Sequence, residues 1–298
     1  MLMHPGQVEV AADDVARAVA EQVPELAGLP IRRVESAGTV VAPFRIGEAF
    51  AARVPLVPSA ETAARAALVA DADHAEFLAG RVPVEVPRPV AVCEPFDGYA
   101  GYWSVWTWVD GVSLDQASEI DPEHLPRDLA NLLLAFHRLP AGGAGWNGAG
   151  RGGEPLADTE WVRDAIAASA HLFDPGLATD LWERALAAPP HVGPAVFIHG
   201  DPMPGNFIVR TWRLAGMVDI AGPVFGDPAS DLAPAWTLFD EPARTTFRAA
   251  TGQDAAAWER GRGWAFEMAI LGLAYYEHSN PAFSAMAART LARLAESC

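Results

Sequence analysis

Apolar residues recur every four positions at Val15, Val19 and Val23, the spacing of one helix face, and the run stops near Pro24. The pattern then changes period. Ile31 to Ser36, Ala42 to Ile46 and Ala49 to Val54 read as extended segments broken by Gly38 and by the Gly47-Glu48 turn, which predicts a small antiparallel meander. Ser59 is placed to cap an Ala-rich helix running to about Ala79, with Glu61 in its first turn. Pro83, Pro87 and Pro89 then force extended backbone, and Val90 to Val92 and Tyr102 to Val109 add two strands.

Beyond Gly111 the helical period takes over. Leu129, Leu132, Leu133 and Phe136 share one face, and seven glycines between Gly142 and Gly153 follow in a stretch that suits only a loop. The remainder predicts helices over about 157–171, 177–187, 254–278 and 282–296, with short strands near 195–198, 206–210 and 214–219. The division expected is a strand-rich N-terminal lobe over 1–105, a crossing at 106–111 and a helical C-terminal lobe over 112–298, an α+β architecture with an antiparallel-sheet N-lobe.

Composition narrows the chemistry. All 21 basic residues are Arg, so a Schiff-base lysine and a Walker-type phosphate loop are both excluded. The 38 carboxylates leave a formal charge of -17, which repels nucleic-acid phosphates and anionic lipid and attracts cations; no nucleic-acid or membrane partner is expected. Two cysteines, Cys93 and Cys298, make no disulfide framework or zinc site and fit a reducing cytoplasm. The longest apolar run, Met268 to Tyr276, is nine residues, where a membrane-spanning helix needs about 20.

One segment carries specific chemistry. An apolar strand delivers His199-Gly200-Asp201, Asn206 follows after a short loop stiffened by Pro202, Pro204 and Gly205, and two more apolar strands end in Val218-Asp219. Phosphoryl transfer to a hydroxyl needs such a set: an Asp that accepts the hydroxyl's proton, an Asn returned by a tight loop to a metal ion, and a second carboxylate on the same hard cation. Each residue alone is an ordinary turn or strand-end residue, and only their joint spacing argues for function. Asp227, before a proline and an apolar run, reads as a helix cap, and His199 as a loop-holding residue.

The stretch HGDPMPGN followed by VDIAGPVFGDPASDLA resembles the aminoglycoside phosphotransferase family, kinase-like enzymes that phosphorylate hydroxyls of antibiotics, macrolides included, and of other small molecules. Matches fall at His199, Gly200, Asp201, Asn206, Asp219, Gly226, Asp227, Pro228, Asp231, Leu232 and Ala233. The likeness continues in order through PELAGLP, FRIGEAFAARVP, VPVEVPRPVAV, WSVWTWVDG, RGGEPLA, AWTLFD and RGRGWA. It implies a two-lobed protein-kinase-like fold, with Asp201 as catalytic base and Asn206 and Asp219 on Mg2+. ATP or GTP is the implied donor, its phosphates contacted by Arg53 and covered near Gly38 and Thr39, and its base read along Trp106, Thr107 and Trp108. Asp71 is the helix acid aligned with Arg53, and Glu61 is its rival. The chain differs from the family at Val41, where a polar donor is common, and at Gly222, where an acid is common.

Asp158, Glu160, Asp164, Glu267 and Glu277 in the C-terminal lobe, with the overall charge, favour a cationic, amine-bearing acceptor, an aminoglycoside ahead of a macrolide or a metabolite amino alcohol. Two other classes remain open at this point: a metal-dependent phosphohydrolase using His199, Asp201, Asp219 and Asp231, and a nucleotide-binding homologue impaired by Arg53, Val41 and Gly222.

Overall fold

The computed structural model describes residues 2–118, 121–148, 150–220 and 224–296; Gly222 and Cys298 lie outside them. The chain divides into two compact units, Met1–Val112 with Ala215–Gly222, and Ser113–Leu214 with Pro223–Cys298.

In the first unit, α1 (Ala12–Gln22) turns Val15, Ala18 and Val19 inward, as its four-residue spacing requires. Strands β1 (Ile31–Arg33), β2 (Val41–Ile46), β3 (Phe50–Pro55), β4 (Pro89–Cys93) and β5 (Trp103–Thr107) form an antiparallel sheet in the order β1-β2-β3-β5-β4. Along β2 the side chains alternate, with Ala42, Phe44 and Ile46 buried. They join Val15, Val19, Val54, Trp103 and Val105 in one apolar core.

Two boundaries differ from the sequence pattern. Strand β1 ends at Arg33 because pairing stops after the Val34 N–H reaches the Pro43 carbonyl at 2.9 Å. Helix α2 (Thr62–Leu78) starts two residues later than a cap at Ser59 implies, because Ser59 Oγ accepts the Glu61 N–H at 3.3 Å, closing a turn before the helix rather than capping it.

In the second unit, β6 (Val112–Ser113), which starts at the unit boundary, is followed by α3 (Leu125–His137), α4 (Glu160–Ala168), α5 (Pro175–Leu186), β7 (Val196–Ile198), β8 (Phe207–Arg210) and β9 (Arg213–Met217); the end of β9 belongs to the first unit. Then come β10 (Val224–Gly226), the short α6 (Pro234–Thr237), α7 (Glu241–Thr251), α8 (Ala255–Leu273) and α9 (Pro281–Glu296). Strand β7 pairs with β10, and β6, β8 and β9 make a second small sheet.

Helix α7 was not expected from apolar spacing, yet it is capped at both ends: Asp240 accepts the Ala243 N–H at 3.1 Å, and Gly252 closes it at φ +64°. Helix α8 is buried along nearly its whole length and supplies Trp264, Phe266, Ile270 and Leu273 to the core. Among the described residues no helix is long and apolar enough to cross a membrane.

The glycine-rich stretch is more ordered than a connecting loop. Asn147 both donates its N–H to the Phe225 carbonyl (3.1 Å) and accepts the Phe225 N–H on its side chain (2.8 Å), and the Gly152 carbonyl accepts the Asp227 N–H at 2.9 Å. A Cβ on Gly226 would stand 1.8 Å from the Gly152 oxygen, so the two backbones can approach this closely only without a side chain there.

Candidate active site

In the first unit, Arg53 lies on β3 opposite Pro43 and Ser104, with its side chain mostly buried. Its guanidinium pairs with the Asp219 carboxylate and stands 5.8 Å from the Trp106 ring centre. Asp219 follows β9 with φ +57°, a conformation uncommon outside glycine that turns the chain sharply where the carboxylate is needed. The ion pair described for Arg53 is therefore with the proposed metal ligand. Asp71 sits half-buried in α2, and Glu61 is exposed at that helix's start. Gly38 and Thr39 occupy the β1–β2 loop, where the Gly38 N–H is closed onto Ser36 Oγ at 2.9 Å and the Thr39 carbonyl meets His4 Nε2 at 2.6 Å.

At the end of β5 the Thr107 N–H donates to the Arg88 carbonyl (2.8 Å) and the Trp108 N–H to the Ala49 carbonyl (2.7 Å). Trp106 is buried, with its indole N–H on Ser104 Oγ at 2.8 Å. This stretch is thus sheet interior. Two of the N–H groups assigned to the nucleotide base from the sequence are already committed to protein carbonyls.

In the second unit, β7 delivers His199, Gly200 and Asp201 onto a loop turned by Gly200 at φ +78°. Asp231, fully buried, holds that loop from beneath: its two oxygens accept the His199 N–H (2.9 Å), the Gly200 N–H (3.0 Å) and the ring of His137 (Nε2, 3.0 Å). A carboxylate committed to three partners has little left for a metal ion, which removes one ligand from the phosphohydrolase reading. His199 Nδ1 faces the Asp201 N–H at 3.3 Å, and its ring lies between Phe136 and Phe207, the loop-holding role read from the sequence. Among the described residues no three His, Cys, Asp or Glu side chains cluster as a metal site.

Asp201 is half-exposed. Asn206, on the short turn Pro204–Asn206, donates Nδ2 to the Asp201 backbone carbonyl at 3.0 Å and lies 3.4 Å from Asp201 Oδ2. Both neighbours are acceptors, which fixes the amide's orientation and leaves Oδ1 as an oxygen ligand. Asn206 Oδ1 in this unit and the Asp219 carboxylate in the first are each a hard oxygen donor of the kind Mg2+ takes. Asp227 caps the turn after it by accepting the Ala229 N–H at 3.0 Å, as its place before Pro228 predicted, and it also forms a buried two-pronged pair with Arg260 at 2.6 and 3.2 Å.

Three residues were missed in the sequence. Arg260 and His137 hold Asp227 and Asp231, and Arg151 places Nη1 2.5 Å from Asp201 Oδ1. No local spacing links any of these pairs; Arg151 and Arg260 open the RGGEPLA and RGRGWA stretches of the resemblance, which marks the segments but not the partners.

Of the five acids proposed to face the acceptor, three already have partners. Asp158 pairs with Arg163, and Glu277 with His171 at 2.9 Å, a bond that holds its carboxyl below the usual range. Glu267 is held by the indole N–H of Trp161, and burial pushes its carboxyl up despite the positive field of Arg151. Glu160 and Asp164 are exposed.

An antiparallel-sheet unit and a helical unit define a two-lobed kinase-like α+β fold. The family model of the phosphotransferase enzyme family matches residues 44–264, and the chain belongs to that family. The family is one of phosphotransferases. Solved structures agree in fold. The GDP complex of wild-type aminoglycoside 2'-phosphotransferase-IIIa is 16% identical with a TM-score of 0.65, covering 97% of this chain and 99% of that one. ADP-bound aminoglycoside phosphotransferase APH(2'')-Ib is 14% identical at TM-score 0.58, over 96% and 99%. Macrolide 2'-phosphotransferase MphH from Brachybacterium faecium is 21% identical at TM-score 0.61, over 94% and 98%. A search among curated proteins finds no significant match.

Proposed function

We propose that the protein transfers the γ-phosphoryl group of ATP or GTP to a hydroxyl of an amine-bearing small molecule of the aminoglycoside or macrolide type. The observation that carries this reading is the half-exposed Asp201 on a backbone clamped by Asp231, with Asn206 fixed beside it. A rigid loop of this kind costs no reorganisation during the reaction. The acceptor oxygen forms the new bond to phosphorus, the bond from phosphorus to the β–γ bridging oxygen breaks, and the hydroxyl proton passes to the Asp201 carboxylate. Arg53 orients the nucleotide's phosphates, and Asn206 and Asp219 would hold Mg2+, which supplies charge neutralisation for the leaving diphosphate. The donor class is supported by the GDP and ADP of the neighbouring structures. The N–H groups of Thr107 and Trp108 are engaged, so a base lying along Trp106 to Trp108 would be met there by carbonyls rather than by those two donors.

The test is incubation with ATP or GTP and magnesium, with and without a panel of aminoglycosides, macrolides and simple amino alcohols, read by mass spectrometry of the acceptor. One added phosphoryl group on an acceptor, lost in Asp201→Asn while nucleotide binding persists, is the expected result. Near-normal kcat in Asp201→Asn, or nucleotide binding with no transfer to any hydroxyl, overturns the reading.

A further inference from the structure

Arg151 is a guanidinium on a fixed seat. Its neighbour Gly152 adopts φ +78°, and a Cβ there would lie 2.3 Å from Ser230 Oγ. The Gly152 carbonyl accepts the Asp227 N–H, and the Arg151 carbonyl lies 3.7 Å from where a Cβ on Gly200 would stand. The backbone at Arg151 and just after it is therefore packed against the segments that shape the Asp201 loop. The side chain is about three-quarters buried, and its Nη1 sits on one particular oxygen of Asp201, Oδ1. Among the described residues the other oxygen, Oδ2, has only the long 3.4 Å approach of Asn206.

We propose that Arg151 is a positioning residue for phosphoryl transfer: it holds Asp201 through Oδ1 so that Oδ2 is presented to the acceptor hydroxyl. The proposal rests on the phosphotransfer reading above. An unrestrained carboxylate rotates about its last bond and presents either oxygen in many orientations, whereas a charge-assisted bond from a locked backbone selects one. The positive charge of Arg151 also favours the ionised form of Glu267.

The experiment compares wild type, Asp201→Asn, Arg151→Ala and Arg151→Lys in transfer to an acceptor, with melting temperature recorded for each. Activity in the wild type and its loss in Asp201→Asn establish the phosphotransfer reading; an inactive wild type makes that reading fail, and this role with it. With the reading established, Arg151→Ala lowers kcat by about 10- to 100-fold, the scale of a misplaced catalytic group, and leaves the nucleotide KM within about 2-fold. Added guanidinium ion restores part of the loss, and Arg151→Lys recovers part but not all, since an ammonium is a point charge without the fork. Wild-type kcat in Arg151→Ala overturns the proposal, as does a loss that guanidinium does not relieve and a fall in melting temperature explains. Peptide mapping after phenylglyoxal treatment gives a readout independent of turnover. Arg151 is modified several-fold faster in Asp201→Asn than in wild type if the pair exists in solution, and equal rates overturn it.

Discussion

Arg53 and Asp219 pair with each other, so under the proposed function a phosphate group and a metal ion would compete for two charges that already satisfy one another. Removing the cation then affects both binding and turnover. Arg53→Ala is expected to raise the nucleotide KM and lower kcat together in steady-state kinetics, because a phosphate-orienting cation acts in ground and transition states alike. Equal kinetics for the two proteins would leave Arg53 as a structural partner of Asp219. Arg53→Lys asks whether the fork matters: a site built around two parallel bonds loses activity with Lys, and one that needs only charge keeps it. Glu267 offers a test by pH. Its carboxyl titrates higher in the folded chain than in the unfolded one, so the folded state binds more protons and stability falls as pH rises through that interval. Glu267→Gln removes the ionisation and should raise the melting temperature relative to wild type at pH 8, with the difference shrinking as the pH is lowered and wild-type Glu267 takes up its proton. Cys93 is a buried thiol pushed up to about 12 by burial, and native protein should resist alkylation there until it is unfolded.

Elements were legible wherever their signal was local. The four-residue valine spacing of α1 and the alternation along β2 are each set by which side chains face the core, and periodicity reports that directly. Helix α7 has polar residues along most of its sequence and depends on Asp240 and Gly252 at its ends, so an apolar pattern does not reveal it. The same distinction separates the parts of the site. Asp201 and Asn206 stand on one short loop and could be read by spacing, but the bonds from Asp231 to His137, from Asp227 to Arg260 and from Arg151 to Asp201 join residues far apart in the chain, and no spacing rule encodes them. The contact between the glycine-rich stretch and β10 is another such case. Gly226→Ala would drive a methyl into the Gly152 carbonyl, backbone against backbone, and neither side can yield as a flexible side chain does. A loss of at least about 1–3 kcal/mol is expected from overpacking of this kind. Urea unfolding measures it, and a midpoint equal to wild type would mean that the close approach relaxes in solution.

At the scale of the whole molecule the question is what a formal charge of -17 does. Pairing within the second unit takes up part of it: Asp158, Glu277 and Glu267 each have a local donor, and Arg151 neutralises part of Asp201. What attracts an acceptor from a distance is then the summed field of the unpaired carboxylates rather than a few acids aimed at its amines. Such a field acts on association, and salt screens it over a length of about 8 Å at 0.15 M ionic strength. For an amine-bearing acceptor, kcat/KM should therefore fall steeply from low to physiological ionic strength, while kcat at saturating acceptor changes little, because bound substrate no longer needs steering. The control is a neutral acceptor with the same reactive hydroxyl, which should show no such slope. A flat profile for both would mean that the acidic surface serves solubility alone and plays no part in drawing in the acceptor.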